Sequence, residues 1–193
     1  MITNVADLPA DLRLEVARKI SDLSHQPNSS LLPKSIEDAM QIIASGIMLA
    51  KMNQHQPLFI VAFEPTGDPY FTEVGITCNL APTQIRGRHA FPEIIDSYRG
   101  INGNGKNVLY LTTTDIRMIH VAGRSGFRRT TNPHDFFPPT VLEFCCSPCM
   151  PEKTGVVCHG QQKHRCPRFT GDFLPQFGED CTHQPCHIFT QIM

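Results

Sequence analysis

Asn107–Arg129, NVLYLTTTDIRMIHVAGRSGFRR, reads as a short apolar strand, a polar turn, an amphipathic helix and a Gly-Phe stop. Val108, Leu109, Tyr110 and Leu111 are apolar and β-prone, as a buried strand requires. Thr114 or Asp115 is suited to cap the next helix, because a short side-chain oxygen can accept a first-turn amide. Ile116, Ile119, His120 and Gly123 then fall at helical spacing, with Met118, Val121 and Ala122 widening that face. Gly126 suits the left-handed backbone that ends a helix, and Phe127 is placed to fold back on the core.

Toward the N-terminus the pattern changes from helices to hairpins. Leu12, Leu14, Val16, Ala17, Ile20 and Leu23 give helical spacing over Leu8–Leu23, with Pro9 suited to a first turn. Pro27-Asn28-Ser29-Ser30 breaks the chain, and a second helix is expected from Ser35 to about Ser45, stopped by Gly46. Ile47–Met52 and Leu58–Phe63 read as strands around the turn Asn53–Pro57. Thr66-Gly67-Asp68-Pro69 is a second turn, so Tyr70–Leu80 is expected to return as a hairpin partner. A helix over Pro92–Tyr98 leads toward the strand at Val108. Two helices, three hairpin strands, then helix, strand, helix and strand predict an α+β domain with a mixed central sheet flanked by helices.

Charge and hydropathy narrow the function classes. Seventeen Lys and Arg against eighteen Asp and Glu leave a net charge of −1, which gives no electrostatic case for nucleic acid or an anionic membrane. No apolar run is long enough to span a bilayer, and the start, MITNVADLPADLRLEV, lacks a signal-peptide pattern. A cytoplasmic protein is the resulting expectation. Cysteine usage is lopsided: of eight, Cys78 alone precedes Cys145. The composition shift divides the chain into an expected domain at 1–144 and a Cys/His-rich C-terminal tail at 145–193.

The strand and Gly-Phe helix resemble the last third of the acetyl-CoA-dependent N-acetyltransferases of the GNAT superfamily, through Asp115, Met118, Ala122, Gly126 and Phe127. The element order over residues 1 to 144 is that of the same fold, with a degenerate first strand near Ile2–Val5. The resemblance implies an N-acetyltransferase that moves an acetyl group from acetyl-CoA to a small-molecule amine or a protein amino group. A homodimer is compatible with it. A non-catalytic GNAT-fold binding module is the alternative, and a metal-binding protein acting through its Cys-rich tail is a third reading.

The resemblance also implies a cofactor loop of pattern Q/R-x-x-G-x-G/A opening a helix. Backbone amides at a helix N-terminus face an anionic pyrophosphate there, and glycine lets the chain approach. Pro82–Phe91, PTQIRGRHAF, supplies Gln84, Arg86, Gly87, Arg88 and His89, with His89 standing where glycine or alanine is expected. An ordinary strand-to-helix turn with two surface arginines is the competing reading. The glycine-rich run Arg99–Gly105 precedes a strand rather than a helix, so it reads as a turn and not as a phosphate loop.

For chemistry, the family often places a Glu near the strand before this loop, as a base acting directly or through water. Glu73 holds a similar place. The family's frequent Tyr acid, four residues before the Gly of Gly-Phe, is Ala122 here, which leaves Tyr110, Tyr98 and His120 as nearby donors, Tyr110 being taken as the candidate. Cys78 reads more simply as a small buried residue than as a nucleophile. In the tail, Cys146 and Cys149 form a C-x-x-C knuckle that Cys158 and Cys166 would complete as a tetrahedral zinc site, since cytoplasmic thiolates stay reduced. A disulfide-rich or disordered tail is the alternative.

Overall fold

A computed structural model describes residues 1–26, 29, 31, 34–102, 108–113, 115–130, 136–138, 140–141 and 187–193. The chain forms two compact units. The first comprises Met1–Glu64, Glu73–Lys106 and Met193, and the second Pro65–Thr72 and Asn107–Ile192.

The first unit starts with the short strand β1 (Ile2–Asn4), in place of the degenerate strand expected there. A 3-10 turn at Val5–Asp7 follows, with the Asn4 side chain accepting the Ala6 amide at 3.2 Å. Helix α1 (Ala10–Ser24) buries Val16, Ala17 and Ile20. Helix α2 (Ile36–Ser45) opens with a reciprocal cap: Ser35 accepts the Asp38 amide and Asp38 accepts the Ser35 amide, each at 3.0 Å. Such a box satisfies two of the amides that a helix start leaves orphaned. Strand β2 (Ile47–Asn53) turns at Gln54, φ 51°, into β3 (Gln56–Pro65). The pair is antiparallel, with Ala50 opposite Ile60 and Leu49 opposite Val61. Strand β4 (Phe71–Asn79) lies next to β3, so the order here is β1-β2-β3-β4.

Both faces of these strands are covered, which is why β2 and β3 read as apolar runs rather than as alternating ones. On one face Met48, Ala50, Met52, Ile60, Ala62, Ile76 and Cys78 pack with Val16, Ala17 and Ile20 of α1 and with Ala39 and Ile43 of α2. On the other, Phe63 stacks on Tyr98 of helix α3 (Gly87–Asn102), with ring centroids 3.8 Å apart. Lys51 also pairs with Glu93 of α3. Helix α3 begins five residues before the Pro92 start expected from sequence and continues through Asn102, so Arg99–Asn102 of the glycine-rich run are helical. Pro92 stands within the helix, where it removes the amide that would bond the Arg88 carbonyl.

The second unit holds strand β5 (Val108–Thr113), helix α4 (Ile116–Arg124), the two-residue strand β6 (Arg128–Arg129) and β7 (His187–Ile192). Their order is β5-β7-β6, with both pairs antiparallel. Thus the last residues of the segment read as tail form a central strand here, with Leu111 opposite Phe189 and Arg129 opposite the same Phe189. Asp115, not the alternative Thr114, is the residue described as capping α4, and Thr114 lies outside the described residues. Gly126 takes φ +84° and Phe127 is buried, as the Gly-Phe stop predicts. The buried face of α4 is narrower than the expected one, with Met118, Ile119 and Val121 half-buried. Ala122 is fully buried, whereas His120 and Gly123 are exposed. Phe71, Phe136 and Phe137 cluster beside Tyr110, whose ring meets Phe137 edge-on at 5.3 Å.

Candidate functional site

The candidate cofactor loop lies in the first unit, between β4 and α3. Asn79 ends the strand and builds the turn. Its side-chain oxygen accepts the Ala81 amide at 3.2 Å, and its amide group donates to the Ile85 carbonyl at 3.0 Å. The Leu58 carbonyl of β3 accepts from both Leu80 and Ala81, at 2.8 and 3.1 Å, and ties the start of the loop to the sheet. Amides of Gln84 and Ile85 fold back to the Ala81 carbonyl. The polypeptide therefore enters α3 from a turn anchored at both ends.

Arg86 is the residue before the helix, and its carbonyl accepts the amides of His89 and Ala90 at 2.9 and 3.3 Å. In any helix the first-turn amides lack intrahelical partners. At α2 and α4 a side-chain oxygen meets them. At α3 the preceding side chain is a guanidinium, which has donors and no acceptor. Gly87 brings this helix end against the sheet: a Cβ there would stand 3.1 Å from Cε2 of Phe59. Gln84, Arg86, Arg88 and His89 are all exposed, and the Arg88 Nε lies 3.2 Å from His89 Nε2. The structure so brings all five loop residues singled out from sequence to one helix end. Cationic side chains there, at the positive pole of a helix dipole, suit an anion.

Glu73 lies half-buried on β4, in the same unit. A second carboxylate, which the sequence reading did not single out, is Glu64 near the end of β3. Its side chain lies over Gly75 of the neighbouring strand, where a Cβ would run into Oε1. Burial pushes the Glu64 carboxyl above its ordinary range, while the Lys34 charge and a hydrogen bond from the Ile76 amide pull it down. A signal was present in the sequence: one acid closing the apolar run PLFIVAFE, with a hairpin partner that carries glycine. Cys78 is buried, and burial pushes its thiol up to about 12, so it has no thiolate to act as a nucleophile near neutrality.

In the second unit Tyr110 is fully buried on β5. Tyr98, another phenol weighed from sequence, belongs to the first unit and is stacked on Phe63. Cys146, Cys149, Cys158 and Cys166 lie outside the described residues, and among the described ones no cluster of His, Cys, Asp and Glu is disposed to hold a metal ion. No described helix is long and apolar enough to cross a membrane.

No protein-family model and no curated protein matches the sequence. Solved structures match through the backbone. The N-acetylglutamate synthase of Neisseria gonorrhoeae, solved with coenzyme A and N-acetyl-glutamate, aligns with a TM-score of 0.59 at 16% identity. All of this chain is covered, and it spans 35% of that enzyme. The Rv2747 protein of Mycobacterium tuberculosis, solved with CoA, aligns at 0.58 and 10% identity over 94% of this chain and 96% of its own. A GNAT-family acetyltransferase of Streptococcus pneumoniae aligns at 0.56 and 11% identity over 100% of this chain and 98% of its own. What is shared at such low identity is the path of the backbone, and by that path this chain has a divergent GNAT-like fold.

Proposed function

We propose that the protein is an N-acetyltransferase that moves an acetyl group from acetyl-CoA to an amine, either a small molecule or a protein amino group. The observation that carries this reading is the start of α3. Its first-turn amides follow an arginine in place of a capping oxygen, and Gly87 draws it close to β3. The pyrophosphate of acetyl-CoA would accept from those amides, with Arg86 and Arg88 supplying charge-assisted hydrogen bonds and Gln84 and His89 flanking. Coenzyme A bound to structures of the same fold supports it.

The chemistry asks for a neutral amine, a polarised thioester carbonyl and a proton for the leaving thiolate. In this reading Glu73 takes the amine proton, directly or through water, and Tyr110 serves the thiolate. Calorimetric titration with acetyl-CoA tests the cofactor site, and release of free thiol on adding candidate amines tests the transfer. Absence of binding at near-millimolar acetyl-CoA would refute the proposal.

A binding module without catalysis is favoured by two residues, His89 at a position where the family pattern has glycine or alanine and Ala122 where it often has tyrosine. Acetyl-CoA that binds but is never turned over would select it. Zinc held by Cys146, Cys149, Cys158 and Cys166 is a separate proposal, resting on their spacing and thiol chemistry. Metal analysis of the purified full chain, before and after chelation, decides it.

A further inference from the structure

We infer that His89 makes the anion site at the start of α3 pH-sensitive: its imidazole takes up a proton as acetyl-CoA binds, and the site tightens in mild acid. The inference rests on the acetyltransferase reading and adds a control to that same site.

The geometry starts from the pair of Arg88 and His89, whose Nε and Nε2 atoms lie 3.2 Å apart. A guanidinium carries only donors, so His89 Nε2 accepts here and holds no proton. The imidazole in this contact is therefore neutral, with its one proton on Nδ1. The His89 amide is already committed, donating to the Arg86 carbonyl at 2.9 Å. What this residue adds to the helix end is thus its exposed ring.

Protonation changes both members of the pair. An imidazolium donates from both nitrogens and cannot accept from Arg88. The contact then breaks, Arg88 Nε is released, and a further positive charge stands with Arg86 and Arg88 at the positive pole of α3. With no anion there, the clustered cations repel one another and favour the neutral ring. A pyrophosphate at that pole reverses the balance, since an opposite charge favours the charged ring. Proton uptake and anion binding consequently promote each other to the same degree. Among the described residues the acids on the same side of the helix, Glu93 and Asp96, are engaged by Lys51 of β2 and by Arg99. The turn that leads in, Leu80–Ile85, has no titratable side chain, and the β3 residue under Gly87 is Phe59.

The test titrates wild type and His89→Gln with acetyl-CoA by calorimetry at pH 7.5 and at pH 5.5, across the range where imidazoles change charge. Glutamine keeps an acceptor for Arg88 and does not titrate, and the phosphates of the ligand change equally for both proteins. Relative to His89→Gln, wild type should gain about fivefold in affinity between the two pH values, the worth of one charge about 4 Å from an anion in water. Imidazole nitrogen NMR of the full chain reads the pair itself, with the His89 signals assigned by their loss in His89→Gln. At pH 8 the free protein should show a bare Nε2 and a protonated Nδ1, and the titration midpoint of the ring should rise when acetyl-CoA is added. An affinity ratio that stays constant with pH, or a midpoint that ignores bound acetyl-CoA, overturns the inference and leaves the acetyltransferase reading standing. Wild type that binds no acetyl-CoA at either pH overturns that reading, and the control by His89 falls with it.

Discussion

Helices α3 and α4 each follow a strand, yet they begin in opposite ways. At α4 the carboxylate of Asp115 accepts the Arg117 amide at 2.8 Å and also pairs with the Arg117 side chain at 2.9 Å. Its hydrogen bond to Arg117 holds that carboxyl below the usual range, with further help from the amides of Arg117 and Met118. The positive pole of α4 is therefore answered within the chain. At α3 the corresponding place holds Arg86, and Arg88 and His89 add cationic or donor groups in the first turn. Local stability alone would favour an acid there. A helix start whose first turn carries no acid, beside a glycine that admits close approach, suits anion binding. The contrast thus separates a helix end built for stability from one proposed to serve a ligand.

The sharpest way to break this contrast is to reverse one charge at each end. Arg86→Glu should weaken acetyl-CoA binding at least tenfold by calorimetry, since a charge-assisted hydrogen bond is worth about 1.5–3 kcal/mol. Arg117→Glu should leave that affinity within about twofold, because the Arg117 charge is already engaged by Asp115. Equal losses in the two variants would show that the ends do not differ in function.

Glycine substitutions sharpen it next. Gly126→Ala places a side chain at φ +84°, with its Cβ 2.6 Å from Nε2 of Gln191, and should cost about 1–2 kcal/mol in urea unfolding. Gly87 has no such backbone strain, and its added Cβ meets Phe59 at 3.1 Å. Gly87→Ala should lose less stability than Gly126→Ala but more acetyl-CoA affinity. The reverse pattern would place the ligand elsewhere.

Removing the cap of α4 comes third. Asp115→Ala should cost about 1 kcal/mol of stability with unchanged acetyl-CoA affinity. Its folded pKa lies below the unfolded value near 3.8. The stabilisation is therefore complete above that value and is lost as pH falls through the folded pKa. Stability curves of wild type and Asp115→Ala should accordingly converge in acid, and curves that stay parallel would remove the carboxylate from the cap's energetics.

The smallest expected effect concerns Cys78, which lies in the apolar layer beneath the sheet. With a thiol pKa of about 12 it should be inert to a thiol reagent at pH 8. Native wild type and Cys78→Ala should consume the same number of reagent equivalents, and one equivalent fewer in the variant would show Cys78 to be open.

Much of this was legible beforehand because it is local. The helix start at Ser35, a cap at Thr114 or Asp115, the stop at Gly126 and the turn around Gln54 each depend on a few neighbouring residues and their backbone preferences. The register of α4 was less legible. Helical spacing admits a broad face from Met118 to Gly123, and only the packed neighbours select Ala122 within it and leave His120 and Gly123 exposed. The start of α3 was missed by five residues, since Pro92 is a strong start signal that tertiary contact here overrides: Gly87 on Phe59 and Phe63 on Tyr98 hold the helix on both sides of it.

By itself the sequence determined which segments before Arg129 become helices and strands, where most of them end, and that Gln84 to His89 fall between a strand and a helix. Periodicity and caps act within one turn or one hairpin, so they can be read without a partner. Tertiary structure alone decided that His187–Ile192 becomes the strand between β5 and β6, because pairing joins residues far apart in the chain. It alone also set Glu64 over Gly75 of the neighbouring strand, since no local rule fixes which side chain will fill the space a glycine leaves.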